Sequence, residues 1–346
     1  MKALLLSKYR SLEIAELPVP TPAPHEILVR VAACGICGSD VHGYDGSSGR
    51  RIPPIVMGHE AAGTVAAIGN NVRGFKEGDR ITFDSTIYCG LCGSCLRGDV
   101  NLCDNRQVLG VSCGDYRRAG AFAEFVVVPA RIVYRLPETL PFEEAAMLEA
   151  VSVALHAVSL VPVHPQDNAL VVGAGMIGLL IVQALHAAGC SHVYVSDVDQ
   201  TRLNLAQELE AAATFAAGPS LITQVMAATN GVGMDLAIEA VGIDATVSAA
   251  IDSVRKGGNV VLVGNVTPEV TLPLQRVVSR QIRLQGSCAS SGEYPRAIEL
   301  MSSEAIRVKP LISAIAPLED GPRWFERLYA REPNLMKVVL APGKTL

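Results

Sequence analysis

The chain has few aromatic residues and no excess of basic charge. Phe, Trp and Tyr make up 5% of its 346 residues, and the formal net charge is −5. Proteins that hold nucleic acids use clustered basic side chains, and single strands are also stacked on aromatic rings. The composition therefore argues against nucleic acid as a partner. With 49% hydrophobic residues, a chain of this length predicts two domains, each with a sizeable core.

Long uninterrupted hydrophobic runs are also missing. The opening MKALLLSKYRSLEIAE has a hydrophobic patch of four residues that charged residues soon follow, which does not match a signal peptide. The most apolar window, 169–190, contains four glycines together with Gln183 and His186. This composition favours a strand, a turn and a helix over a membrane span. We expect a cytoplasmic protein with no membrane partner.

Nine cysteines are too few to staple a scaffold of this size with disulfides. One group of them is clustered within 86–106: Cys89, Cys92, Cys95 and Cys103. Thiolates at this spacing suit one tetrahedral zinc ion in a closed structural site, although an iron–sulfur cluster fits the same spacing. We favour zinc in a reducing compartment, because a second metal set and a dinucleotide fingerprint occur elsewhere in the chain.

The pattern of the chain changes near residue 153. Before it, short alternating segments such as EILVRVAACGIC, AAGTVAAIG and AFAEFVVVP predict a mostly antiparallel β-domain. After it, apolar runs such as ALVVGAG, HVYVSD and NVVLVG alternate with helical stretches such as TRLNLAQELEAAA. That alternation is typical of a parallel sheet covered on both faces. The sequence therefore predicts an α/β protein, and MKVVLAP near its end predicts a final strand.

A glycine fingerprint, GAGMIG, follows the predicted strand NALVVG and precedes an apolar helix. Gly173 permits a tight turn, Gly175 lets a pyrophosphate approach the backbone, and Gly178 lets the helix pack on the strand. The next strand ends in Asp197, where a carboxylate bonds ribose hydroxyls and repels a 2′-phosphate, so NAD is favoured over NADP. Arg202 either lines the adenine pocket or is a solvated residue of the helix.

A second, incomplete metal set lies upstream of the four cysteines. Cys37 in GICGSDVH and His59 in GHE supply two ligands, and Glu60 or Glu149 supplies a third. Three protein ligands leave a fourth position for water or substrate, as in catalytic zinc sites. The sequence leaves open which glutamate binds, whether the two alternate, and whether either one is structural. Asp40 is a natural partner for the second ring nitrogen of His59.

Two further residues of GICGSDVH can handle protons. A zinc-bound alcohol must lose its hydroxyl proton as hydride leaves, and the Ser39 hydroxyl could pass it through a ribose hydroxyl to His42. The alternative for His42 is a solvated loop side chain. Cys34 and Cys37 also form a CxxC redox spacing, which we discount because no thioredoxin-like βαβ unit surrounds it.

These residues together resemble the zinc-containing medium-chain dehydrogenase/reductase superfamily. The resemblance rests on GICGSDVH, GHE, the four cysteines, AGAFAEF, the glycine fingerprint and VGN at 263–265, and it spans essentially the whole chain. It implies a GroES-like catalytic domain at 1–152 and 286–346, and a Rossmann NAD-binding domain at 153–285. It also implies catalytic and structural zinc, a small-molecule alcohol or ketone as substrate, and a homodimer or homotetramer.

The resemblance implies specific contacts to NAD. Ile177 and Val153 would press on the nicotinamide, and the backbone at 263–265 would bond its carboxamide. The full implied set of cofactor residues is Gly173, Gly175, Met176, Ile177, Gly178, Asp197, Arg202, Val241, Val263, Gly264 and Asn265.

The GHE glutamate and LEAVSVALHA look most like the polyol branch of this superfamily, which includes sorbitol and galactitol-1-phosphate dehydrogenases. Threonine dehydrogenases share much of the pattern. Sorbitol dehydrogenases carry an arginine and a tyrosine where this chain has Ala289 and Ser290, so the resemblance is weakest for sorbitol itself. Arg50 and Arg51 could meet a substrate phosphate or carboxylate, but we favour a solvated loop for both.

Overall fold

The computed structural model describes residues 1–343. Within them the chain divides into two compact units. The first consists of Met1–Glu149, Tyr294–Ser302 and the chain from Val308 onward, and the second of Ala150–Glu293 and Ser303–Arg307. The functional division into 1–152 with 286–346 and 153–285 stays a prediction.

The first unit is built from β-strands that are mostly antiparallel. Seven of the ten residues of its central strand are buried, because EILVRVAACG supplies mostly apolar or small residues to both faces. The strands of this unit are β1 (Lys2–Lys8), β2 (Ser11–Glu16), β3 (Glu26–Gly35), β4 (Ile55–Val56), β5 (Glu60–Ile68), β6 (Arg80–Phe83), β7 (Thr86–Ile87), β8 (Gln107–Val108), β9 (Phe125–Pro129), β10 (Val133–Arg135), β17 (Ile312–Pro317) and β18 (Lys337–Ala341).

The helices of the first unit are short. They are α1 (Gly38–Tyr44), α2 (Gly93–Arg97), α3 (Phe142–Ala145), α10 (Tyr294–Ser302) and α11 (Gly321–Tyr329). The helix α4 (Leu148–Ser159) begins at the end of the first segment of this unit. Phe122, Phe325 and Leu340 lie in the core of the unit with no exposed surface.

The pairing of β3 positions the polar residues of this unit. Along the main sheet the strand order is β10-β6-β5-β3-β18-β17, with β9 also on β3. Antiparallel pairing sets Gly35 opposite Glu60 on β5 and opposite Val339 on β18. The end of β3, the start of β5 and the last strand therefore meet at one place.

The second unit is a parallel sheet with helical crossovers. Its strands are β11 (Asn168–Val172), β12 (His192–Asp197), β13 (Ala213–Ala216), β14 (Met234–Glu239), β15 (Val254–Leu262) and β16 (Arg283–Gly286). Its helices are α5 (Met176–Ala187), α6 (Gln200–Glu208), α7 (Leu221–Ala228), α8 (Asp244–Ser253) and α9 (Leu274–Ser279). The strand order β13-β12-β11-β14-β15-β16 is the Rossmann order, reversing at β11. The predicted fold class is confirmed.

The carboxyl ends of these parallel strands lie along one edge of the sheet. Gly173 follows β11, Asp197 ends β12 and Glu239 ends β14. Ligands of open α/β sheets bind outside this edge, where the strand order reverses. None of the helices in residues 1–343 is both long and apolar enough to cross a membrane.

Candidate active site and zinc centres

Cys37, His59 and Glu60 come together in the first unit. Their potential ligand atoms all lie within 4.8 Å of one another. His59 and Glu60 are buried, and Cys37 is partly buried. The Oε1 atom of Glu60 is buried without a hydrogen-bond partner among the described residues. A buried carboxylate oxygen without a partner is costly, and a bound cation would satisfy it. The residues present fit zinc, whose ligands are thiolate, imidazole and carboxylate.

Asp40 contacts two members of this set, Cys37 and His59. Its Oδ1 lies 3.5 Å from Nδ1 of His59, and its Oδ2 accepts the backbone N–H of Cys37 at 3.3 Å. With Nδ1 directed at Asp40, the Nε2 atom of His59 is left to bind a metal. Burial acts to lower the pKa of His59, but the Asp40 carboxylate outweighs it and holds that pKa well above its usual value. The Asp40 carboxylate therefore lies beside Nδ1 of His59, a nitrogen that has no hydrogen-bond partner among the described residues. Orientation of the ring by Asp40 stays a prediction.

Glu60 has a second partner that sequence inspection missed. Lys337 Nζ donates to Glu60 Oε2 at 2.5 Å and to the carbonyl of Ile36 at 3.0 Å. Lys337 is 1% exposed. A Cβ atom on Gly35 would lie 2.3 Å from Glu60 Oε2, so only glycine leaves room for this ion pair. This ion pair could not be predicted from the sequence, because Lys337 lies 277 residues further along the chain than Glu60.

Glu149 also lies close enough to interact with this group. Burial raises its pKa to about 7, with the charge of His59 opposing the shift and that of Glu60 adding to it. Among the residues that the structure describes, the three-ligand set includes Glu60 and not Glu149. Which glutamate binds the metal stays a prediction.

Ser39 and His42 lie on α1, immediately after Cys37. Both side chains are exposed, and residues three apart share one face of a helix. The structure therefore places the two predicted proton carriers one turn apart, on the helix whose N-cap residue is Cys37. Their part in proton transfer stays a prediction.

The four clustered cysteines form a closed group. Their sulfur atoms all lie within 4.8 Å of one another. Cys89 Sγ accepts the backbone N–H groups of Leu91 at 3.4 Å and Cys92 at 3.3 Å. These bonds lower the pKa of Cys89 to about 6. All four are free thiols, so the group fits a structural zinc ion with no position left for substrate; the ligand assignment is still a prediction.

The predicted dinucleotide residues lie together at the sheet edge of the second unit. A Cβ atom on Gly178 would lie 1.8 Å from the carbonyl oxygen of Gly173, which explains the close helix–strand packing. A Cβ atom on Gly175 would have no neighbour within 4 Å, so the glycine leaves open space where a pyrophosphate could approach. Gly173 has a φ of +103°, in the region that glycine adopts most readily.

Asp197 is fixed beside the glycine turn. Its Oδ2 accepts the Ala174 N–H at 2.6 Å, and its Oδ1 accepts the Asp199 N–H at 2.9 Å. Arg202 lies on the first turn of α6, and its Nε is 3.6 Å from Asp199 Oδ2. The structure thus gives Arg202 an ion-pair partner, and its predicted contact with adenine stays a prediction.

The loops after β14 and β15 are held by a residue that the sequence analysis missed. Glu239 is buried, and its Oε1 accepts the N–H groups of Val241 at 2.8 Å and Gly242 at 2.7 Å. Its backbone carbonyl accepts the N–H groups of Val263 and Gly264. Glu239 therefore joins the loop that contains Val241 to the loop at 263–265, and both loops carry predicted cofactor residues.

One expectation about the loop before GHE is wrong. Arg51 is 4% exposed, not solvated, and its guanidinium Nη2 donates to Asp40 Oδ1 at 3.1 Å. Arg50 beside it is exposed, as expected. The sequence does not predict this difference, because a loop rich in glycine and serine has no helix or strand period that would indicate which of two adjacent arginines is buried.

Comparison with known proteins identifies the family of the chain. The family models for "Alcohol dehydrogenase GroES-like domain" and "Zinc-binding dehydrogenase" match residues 23–138 and 177–303. Sorbitol dehydrogenase of Bacillus subtilis is 32% identical over 99% of this chain and 98% of its own length. D-xylulose reductase A of Aspergillus niger is 34% identical over 95% of this chain and 93% of its own.

A solved structure agrees with these relatives. A zinc-binding dehydrogenase of Sinorhizobium meliloti bound to NADP is 33% identical, with a TM-score of 0.89 over 99% of each chain. The resemblance found in the sequence is confirmed. This chain belongs to the zinc-binding dehydrogenases of the medium-chain dehydrogenase/reductase superfamily and is an oxidoreductase acting on CH–OH groups.

Proposed function

We propose that the chain oxidises a secondary alcohol of a polyol to the ketone, with catalytic zinc on Cys37, His59 and a glutamate and with NAD as hydride acceptor. The observation that carries the proposal is the three-ligand set, whose atoms lie within 4.8 Å of one another. A zinc ion with three protein ligands has a fourth position for water or substrate. Similarity to a sorbitol dehydrogenase and a D-xylulose reductase supports the substrate class.

The chain's own residues have defined tasks in this reaction. When bound, zinc supplies a Lewis acid that lowers the hydroxyl pKa of the alcohol, and NAD accepts the hydride. Asp40 orients His59, and Lys337 holds one oxygen of Glu60. Ser39 takes the hydroxyl proton and His42 receives it for release to solvent. Reduction of a ketone uses the same groups in reverse.

We propose further that the preferred substrate is not phosphorylated. A phosphate dianion needs cations that are free to pair with it. Arg51 is buried against Asp40, and Lys337 is buried against Glu60, so neither of these two cations is free to pair with a phosphate. Of the two loop arginines, only Arg50 is exposed. Sorbitol is expected to be a poorer substrate than other polyols, because Ala289 and Ser290 replace an arginine and a tyrosine of sorbitol dehydrogenases.

The substrate class is tested by initial rates of NAD reduction with the zinc-loaded protein. The panel holds D-sorbitol, xylitol, galactitol, galactitol 1-phosphate, L-threonine and 2-butanol. We expect a neutral polyol to have the highest kcat/KM, at least about tenfold above its phosphate, which corresponds to about 1.4 kcal/mol. A preference for the phosphate, for threonine or for 2-butanol would overturn the proposed substrate.

The choice of NAD over NADP is assigned to Asp197. Replacing Asp197 with alanine removes a fixed negative charge that repels a 2′-phosphate, so the NAD/NADP ratio of kcat/KM should fall about 10- to 100-fold. The matched control is Asp252→Ala, which removes a carboxylate of the same unit that pairs with Arg276 at a partly exposed site, at a cost of about 0–1 kcal/mol. That control should leave the ratio unchanged. An unchanged ratio in Asp197→Ala would show that another residue selects the cofactor.

Cytoplasmic localisation and assembly into a homodimer or homotetramer remain part of the proposal. Both rest on composition and on family resemblance, and sedimentation of the purified protein tests the second.

A further inference from the structure

Arg51 is a buried cation that touches two parts of the reaction centre. Its Nη2 lies 3.1 Å from Asp40 Oδ1 and 3.4 Å from Ser39 Oγ, and its Nη1 donates to the carbonyl of Arg50 at 3.2 Å. Asp40 is in contact with the metal set, whereas Ser39 is the first proton carrier. One guanidinium group therefore contacts both the carboxylate that faces His59 and the hydroxyl group of the proposed first proton carrier.

The fold holds this side chain in place from two directions. The backbone of Arg51 bridges to Ser112, which sets where the side chain leaves the main chain. On the other side, α1 has Gly43 under the arginine stem. A Cβ atom on Gly43 would lie 2.1 Å from Arg51 Cγ and 2.8 Å from its Cβ. The guanidinium is thus directed at Asp40 and Ser39 by packing as well as by charge.

We propose that Arg51 is a positioning residue that fixes Asp40 against His59 and also orients the hydroxyl group of Ser39. The inference rests on the proposed function, because it assigns Arg51 to the zinc site and proton path named there. The Asp40 carboxylate makes two contacts with the metal set: Oδ1 faces the His59 ring, and Oδ2 accepts the Cys37 N–H. The guanidinium is a buried positive partner for that carboxylate, at 3.1 Å from its Oδ1.

The contact with Ser39 has a chemical consequence. A guanidinium group only donates hydrogen bonds, so Ser39 Oγ must accept the bond from Arg51 with one lone pair. Its second lone pair is then left for the proton of the alcohol, and its own O–H is left to donate onward. As the O–H bond of the alcohol breaks, a new O–H bond forms on Ser39, and the former Ser39 proton leaves along the path to His42. Ser39 ends the step neutral, with its proton count unchanged.

The test compares three variants of the full-length protein: Arg51→Met, Arg51→Lys and the control Arg50→Met. Methionine keeps the length and apolar stem but removes the charge. Lysine keeps one charge but lacks the planar fork that reaches two acceptors. Arg50→Met removes the same charge from the adjacent exposed residue. For each variant, zinc affinity is measured by competition with a chromophoric chelator, and cobalt absorption spectra separate the two metal sites.

The expected results differ between the variants. Arg51→Met should weaken the three-ligand site about 10- to 100-fold for zinc, as losses of residues that support metal ligands do, while the four-cysteine site keeps its affinity. Arg51→Lys should keep zinc affinity within about threefold, because it retains the charge beside Asp40. Its kcat should nevertheless fall about tenfold or more with KM little changed, because the Ser39 contact is lost. Arg50→Met should match the wild-type protein in each measurement.

The four-cysteine site serves as an internal reference. If Arg51→Met weakened both zinc sites equally, or neither, the positioning of Asp40 would be disproved. Full kcat in Arg51→Lys would disprove the orientation of Ser39. Should Arg51→Met fail to fold, Gly43→Ala tests the same claim by displacing the Arg51 side chain while keeping its charge, and it should weaken the same zinc site alone. Zinc affinity needs no substrate, so a wrong proposed function would leave this result intact.

Discussion

Replacing Cys37 with alanine is expected to lower kcat/KM for alcohol oxidation by about a thousandfold or more. A catalytic metal ion contributes several kcal/mol of charge stabilisation, and each 1.36 kcal/mol is worth a factor of about ten in rate. Cys37 is one of three ligands and also the N-cap residue of α1, so its loss removes the metal and the support for Ser39. Metal analysis should show that the variant lacks one of the two predicted zinc ions.

Binding of NAD should survive this change. The predicted cofactor residues lie in the second unit, whereas Cys37 lies in the first, so the variant keeps every predicted contact to NAD and its affinity for NAD should change by less than about tenfold, or about 1.4 kcal/mol. The affinity for NAD is measured by calorimetry on the wild-type and variant proteins. Cys113→Ala is the matched control, since it removes a cysteine outside both metal groups. Unchanged turnover in Cys37→Ala would exclude this residue as a catalytic zinc ligand.

Replacing Cys103 with alanine is expected to affect stability far more than chemistry. Cys103 is buried, and its Sγ accepts the N–H of Cys89 at 3.2 Å. The surrounding segment has little core of its own, since Leu91, Leu96 and Leu102 are exposed. Loss of a structural metal should therefore lower the free energy of unfolding by about 3–5 kcal/mol, measured by urea denaturation. Protein that stays folded should keep its kcat per occupied catalytic site.

A neighbouring leucine provides the control for this experiment. Leu96 is 75% exposed, so Leu96→Ala should change the free energy of unfolding by no more than about 0.5 kcal/mol. If Cys103→Ala kept its second zinc ion and unfolded at the same urea concentration as the wild type, the four cysteines would not form the closed zinc site.

Local signals made most of the fold and site predictable. The four cysteines lie within 15 consecutive residues, and their short spacing brings the thiols together with little help from the rest of the fold. The glycine fingerprint is also a local signal, because strand, turn and helix follow one another directly and each glycine is required by the sterics of its own neighbourhood. The alternation of apolar strands and helices then predicted the parallel sheet that the second unit forms.

Lys337 and Arg51 are two charged side chains whose burial was not predicted from the sequence. Lys337 reaches Glu60 only because β18 and β5 both pair with β3 at Gly35, and no local pattern encodes that register. Arg51 was expected to be solvated, yet the space over Gly43 and the carboxylate of Asp40 bury it. The partner of Lys337 is 277 residues away and that of Arg51 is 11 residues away, and neither spacing belongs to a helix or strand period, so composition and periodicity do not reveal the burial.

The most direct test of zinc-dependent hydride transfer follows the hydrogen itself. Protein with both zinc sites filled is incubated with NAD and a polyol that carries deuterium on the carbon to be oxidised. The mass of the NADH formed is then measured by mass spectrometry. We expect that NADH carries the deuterium and that protein lacking zinc at Cys37, His59 and glutamate forms no NADH. NADH without deuterium, or equal NADH formation by the zinc-free site, would contradict it.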